Sequence, residues 1–183
     1  MAGVRAYLEG CDRALLAELE AAPISDVRFS GRWTATQIMD HLNRTELLMY
    51  PIWTVVPRLR RFPGALRLMD RANAALWRGA GMSTVVPTSR LGPANAEEGR
   101  FRAPAFLRPS VSPALEVLLK RRTQIRGRTM RAIAAVDEVT LNRLHWSHPL
   151  MGSYSLMEFA QFLGVHERHH LPQIARLSDR PRL

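Results

Sequence analysis

The stretch Leu156-Met157-Glu158-Phe159-Ala160-Gln161-Phe162-Leu163-Gly164-Val165-His166-Glu167-Arg168-His169-His170-Leu171-Pro172-Gln173-Ile174-Ala175-Arg176-Leu177 decides what kind of molecule this is. At helical period, Leu156, Phe159, Leu163, His166, His170, Gln173 or Ile174, and Leu177 fall on one stripe, in the steps of three and four that a bundle seam requires. Two histidines therefore stand where leucines belong. An unpaired imidazole in an apolar seam costs roughly 1 to 3 kcal/mol, so each ring must be hydrogen-bonded or must ligate something. His166 and His170, four residues apart, lie one above the other and can each turn a ring nitrogen to one metal ion. His169 points about a third of a turn away, towards the surface. Such a pair alone is more often an accident or a satisfied core pair. A third histidine at an inner position elsewhere, His41, favours the metal.

The chain has 183 residues, enough for one well-buried domain, and 46% of them are apolar. No run approaches the roughly 18 uncharged apolar residues of a membrane span. Met1 to Glu9 lacks the apolar core of a secretory signal, and Cys11 is the only cysteine, so a reduced, cytoplasmic setting is expected. Cys11 itself reads as a small buried hydrophobe rather than a fourth ligand. The net charge of +10 comes almost wholly from arginine, Lys120 being the one lysine. That charge is compatible with nucleic acid, an anionic membrane or acidic small molecules and does not by itself choose; with no recognition helix, zinc finger or basic-aromatic platform, nucleic acid is disfavoured and a small anionic molecule is the expected partner. It leaves a homodimer open.

In chain order, Val4, Leu8, Cys11, Leu15 and Leu19 mark a first helix ended by Pro23. Thr34 and Gln37 have capping-box spacing and open a second, whose seam runs Ile38, His41, Thr45, Leu48, Ile52, Val55, Leu59. Pro51 and Pro57 should end it between Tyr50 and Leu59. Residues 58–112 form an irregular, arginine-rich crossover in which Ala65 to Trp77 has the pattern of one extra helix. Ser112-Pro113 reads as the start of a third seam helix with Leu115, Leu118, Ile125, Ala132 and Val136 inward, interrupted by Arg122 and Thr129. Asp137 to Tyr154 reads as a loop, and Ser155 with Glu158 as a second capping box opening the fourth helix.

The expected fold is all-α: a four-helix bundle running up, down, down, up, with the long crossover between helices two and three. At about 1.5 Å per residue, His41 lies near 10 Å below the start of helix two, and His166 and His170 lie about 10 to 16 Å below the facing end of helix four. The three rings meet at one level. On the same argument His145 and His148 fall near the opposite end and do not ligate this metal.

Trp33-Thr34 with Gln37 and Asp40-His41-Leu42-Asn43-Arg44-Thr45-Glu46, then His148-Pro149-Leu150-Met151-Gly152, then His166 to Ile174, resemble the DinB/YfiT-like metalloenzyme superfamily. The resemblance covers helices two and four and the loop before helix four. It implies a four-helix bundle holding a divalent metal through His41, His166 and His170. It also implies an activity of the kind assigned to some members, which are thiol-dependent S-transferases and a mycothiol-dependent maleylpyruvate isomerase.

Three neutral imidazoles leave the metal's charge intact and positions open to water or substrate; zinc, nickel and iron all suit nitrogen ligands. Thr45, Glu46 and Gln173 are candidates to support the ligands, and Glu167 to serve as general base. The later crossover should pass over the metal end, with Phe101, Arg102, Phe106 and Arg108 as walls of a substrate pocket, or with the phenylalanines merely pinning the crossover. A metal-dependent enzyme using a low-molecular-weight thiol as substrate or cofactor heads the functional readings. Metal-dependent hydrolysis and a non-catalytic metal-binding stress-response protein are the alternatives.

Overall fold

Thr34 stops the chain in an extended conformation, its hydroxyl accepting from Gln37 N at 3.2 Å while Gln37 Oε1 accepts from Thr34 N at 3.0 Å. This reciprocal cap satisfies two of the donors a helix start leaves orphaned. The computed structural model describes residues 2–21, 33–79, 105–109, 114–148 and 152–178. In order these form α1 (Ala2–Ala21), α2 (Ala35–Thr54), α3 (Val56–Leu59), α4 (Pro63–Gly79), a 3-10 turn (Ala105–Leu107), α5 (Leu115–Ala134) and α6 (Glu138–Arg143). There follow β1 (His145–His148), β2 (Gly152–Ser155) and α7 (Leu156–Ser178).

The chain is mainly helical, as expected. The residues between α5 and α7, read from sequence as a loop, contain α6 and a two-stranded antiparallel hairpin pairing His145 with Ser155 and His148 with Gly152. α2 ends where its prolines allow, with Val55 N–H donating to the Pro51 carbonyl at 2.8 Å. α5 starts at Leu115 behind Ala114, so the expected Ser112 cap is displaced; Ser112 and Pro113 lie outside the described residues. At the head of α7, Ser155 N donates to Glu158 Oε2 at 2.7 Å and Glu158 N to Ser155 Oγ at 3.2 Å, the second capping box.

α1 packs along α7, and α2 along both α5 and α7. Asn43 Nδ2 donates to the Leu118 carbonyl at 3.1 Å, bringing the first half of α2 to the start of α5. Trp53 Nε1 donates to the Leu156 carbonyl at 3.2 Å, bringing the end of α2 to the start of α7. The apolar core comes in two clusters. One gathers Leu8, Trp53, Ile133, Leu141, Trp146, Leu156 and Phe159; the other gathers Leu15, Leu19, Ile38, Leu42, Leu118 and Ile174. Each such side chain contributes about 1.5 to 3 kcal/mol by leaving water.

Between the clusters runs a belt of buried charge. Arg122 is 1% exposed and donates through Nε to Asp12 Oδ1 at 2.7 Å, through Nη1 to Glu46 Oε2 at 2.8 Å, and through Nη2 to Glu167 Oε1. Arg126 Nη2 also meets Glu167 Oε1, and lies 3.1 Å from Glu46 Oε2. Arg122 and Thr129, which looked like breaks in the α5 seam, are thus part of it, buried beside Leu118, Ile125 and Ala132.

Candidate metal centre

His41, on the buried face of α2, and His166 and His170, one turn apart on α7, bring their ring nitrogens within 4.8 Å of one another. Nε2 of His166 lies 3.3 Å from Nε2 of His41 and 3.2 Å from Nε2 of His170. Tetrahedral coordination at about 2.05 Å separates ligand nitrogens by about 3.3 Å, so two edges of this triangle already have ligand spacing.

The far nitrogens say which atoms are presented. Nδ1 of His41 lies 2.9 Å from the Leu107 carbonyl, which can only accept, so the proton sits on Nδ1 and Nε2 keeps its lone pair. Nδ1 of His170 donates to Gln173 Oε1 at 2.9 Å with the same result. Burial pushes all three imidazoles down: His41 below its ordinary value, His166 well below it, and His170 to about 4. For His166 the neighbouring His170 and His41 add to the effect. Neutral rings with aimed lone pairs are what a divalent ion requires, and the donor set fits one.

Trp33 and Phe162 flank the triad. The Trp33 ring centre is 4.8 Å from that of His41, and Phe162 stacks on His166 at 5.6 Å with the planes 5° apart. His169 is half-buried, its ring centre 5.3 Å from that of His170. Cys11 is buried against Gly164 and Tyr7 and is outside the triad.

The other expected site residues divide. Gln173 meets the triad, its Oε1 accepting from His170 Nδ1. Thr45 Oγ1 instead donates to the His41 backbone carbonyl at 2.9 Å, and Glu46 belongs to the belt of charge. Glu167, read from the sequence as a possible general base, is 2% exposed and gripped by Arg122 and Arg126. Burial pushes the Glu167 carboxyl up, against the pull of those two guanidinium groups.

The Leu107 carbonyl brings the end of the crossover against His41, with Phe106 and Arg108 exposed on either side of it; Phe101 and Arg102 lie outside the described residues. His148 also departs from expectation. It is no member of the triad, yet it sits near it, with its ring centre 5.5 Å from that of Phe162. In the sequence, His148 and Trp33 stand out only through the stretches His148 to Gly152 and Trp33-Thr34 that carry the family resemblance.

The family model of the DinB superfamily matches residues 4–174. No curated protein and no solved structure matches the chain.

Proposed function

The chain belongs to the DinB superfamily, and from that premise we propose that it is a metal-dependent enzyme acting on a small anionic molecule, with a low-molecular-weight thiol as substrate or cofactor. One observation carries the reading: three Nε2 atoms converge while Nδ1 of His41 and of His170 is held by a protein acceptor. A divalent zinc, nickel or iron ion held there supplies Lewis acidity, favouring the deprotonated form of a thiol at its open positions. His41, His166 and His170 hold it, Gln173 and the Leu107 carbonyl fix two of the rings, and Trp33 and Phe162 restrict water. Structural zinc normally takes four protein ligands; among the described residues the cluster offers three, which favours a reactive over a structural site.

The thiol reading is preferred to hydrolysis because Glu167, which follows His166 in sequence, is committed to Arg122 and Arg126. The rest of the proposal is a single cytoplasmic domain whose α1, α2, α5 and α7 run up, down, down, up, free or as a homodimer, with Phe106 and Arg108 at the rim of the pocket.

Elemental analysis of wild type against His41→Ala and His166→Ala tests the metal: equal metal in all three ends the reading. Metal-loaded protein is then incubated with glutathione, mycothiol or bacillithiol and a panel of electrophiles, beside esters and amides. Thiol-dependent turnover abolished in His170→Ala is expected. Thiol-independent hydrolysis, or metal-dependent melting without turnover, replaces it with the hydrolytic or the non-catalytic reading.

A further inference from the structure

Three sides of the bundle are closed by helices packed on one another: α1 lies along α7, α7 along α2, and α2 along α5. The fourth side, between α1 and α5, is spanned by long side chains, with Arg122 reaching Asp12 at 2.7 Å. A cavity of about 360 Å³ opens on that side, lined by residues of α1 and α5, and none of the three histidines lines it. Such a volume takes a small molecule.

Charge on its walls is matched in one direction only. Glu9 is paired with Arg5 at 2.8 Å and Asp12 with Arg122, so each carboxylate lining the cavity has its cation. Two of the lining guanidinium groups keep donors to spare. Arg126, 5% exposed, forms the floor; its Nη2 meets Glu167 and Glu46, whereas Nε and Nη1 have no hydrogen-bond partner among the described residues. Asp12 Oδ1 stands 3.9 Å from Nε, too far to accept from it. Arg131 is exposed at the rim, and its guanidinium has no partner among the described residues. A buried N–H without an acceptor is costly, and the groove is where one can be supplied.

Gly127, also lining the cavity, gives it room. It stands in the interior of α5, where glycine is less favourable than alanine. Unlike Gly164, it avoids no clash: a Cβ there would meet only Arg131 Nη1, at 3.5 Å. What the missing side chain leaves is open space beside two arginines. Met130 and Ala134 continue the same face of α5 and make the wall apolar beyond them.

We propose that this groove binds a small carboxylate with a short apolar body, its charged end between Arg131 and Arg126 and its body along Gly127, Met130 and Ala134. The planar guanidinium fork suits a carboxylate, and the apolar wall favours an organic anion over an inorganic one. The site is separate from the histidine triad and requires no metal there.

Titration calorimetry tests it on the full-length protein, as purified and after chelation, with hexanoate, its neutral analogue hexanamide, and inorganic phosphate. Hexanoate should bind equally before and after chelation, with hexanamide and phosphate each about tenfold weaker or worse. Arg131→Gln should cost hexanoate about tenfold in affinity, and Arg131→Lys, which keeps the charge without the fork, should recover part of it. Arg131 is exposed, so both variants should fold as wild type does. Gly127→Leu should fill the groove and abolish binding while melting no lower than wild type. Hexanoate binding that disappears on chelation puts the carboxylate on a metal and overturns the proposal. Equal binding of hexanamide or phosphate overturns the ligand class, and unchanged affinity in Arg131→Gln or Gly127→Leu overturns the place. A Gly127→Leu protein that melts below wild type shows that packing demands the glycine, and absence of hexanoate binding to wild type overturns the whole.

Discussion

At the scale of single residues, the site is shaped by hydrogen bonds on the side of two of the three rings, His41 and His170, that faces away from it. Gln173 holds the Nδ1 proton of His170, and a partner of this kind typically changes metal affinity by about 10- to 100-fold. Gln173→Leu should therefore keep full stoichiometry at saturation but give up its metal to a weaker chelator, as a competition titration measures. The same burial that readies the rings makes them a liability in acid. His170 and His148 are both brought to about 4, against an ordinary 6.5. The unfolded chain thus takes up these protons first as pH falls. The stability they confer is whole above about 6.5 and is lost as pH drops through about 4. Melting curves of the metal-free protein should decline across that window, and a level profile would contradict neutral buried rings.

At the scale of elements, Gly164 sets how closely α1 and α7 approach. A Cβ there would lie 3.0 Å from Cys11 Sγ and closer still to the Tyr7 ring. Gly164→Ala improves helix propensity, yet overpacking of this kind costs about 1 to 3 kcal/mol, so a lower urea midpoint is expected. Periodicity and capping carried much of the fold: Thr34 with Gln37 and Ser155 with Glu158 cap the helices that bear the ligands, and depth along those helices brought His41 level with His166 and His170. The pattern failed where the signal is not local. Arg122 interrupts an apolar stripe, and only Glu46 and Glu167, from two other helices, show why a guanidinium belongs inside. Depth counted along helices alone puts His148 at the far end, whereas the hairpin carries it back along α7 to Phe159 and Phe162. The pairing that holds that hairpin, Ser147 with Asp70, spans 77 residues and has no periodic trace.

At the scale of the whole molecule, the belt of Asp12, Glu46, Arg122, Arg126 and Glu167 draws one or more charged groups from each of α1, α2, α5 and α7. Glu167 directly follows His166, and Glu46 lies on the helix that carries His41. The belt thus ties the two helices that carry the histidine triad through α5 at one level. Burying ions gains little net stability over apolar packing, but removing one partner strands the others. Arg122→Met should cost about 3 to 5 kcal/mol, because Glu46 and Glu167 lose a buried counter-charge. The exposed pair of Arg60 with Asp137 is the control: Arg60→Ala should leave the denaturation midpoint where it was. If the belt sets the register of α2 against α7, Arg122→Met must also weaken metal binding, under conditions where the variant remains folded by circular dichroism. Destabilisation with unchanged metal affinity would reduce the belt to core chemistry, and unchanged stability would mean that the guanidinium is not buried in it.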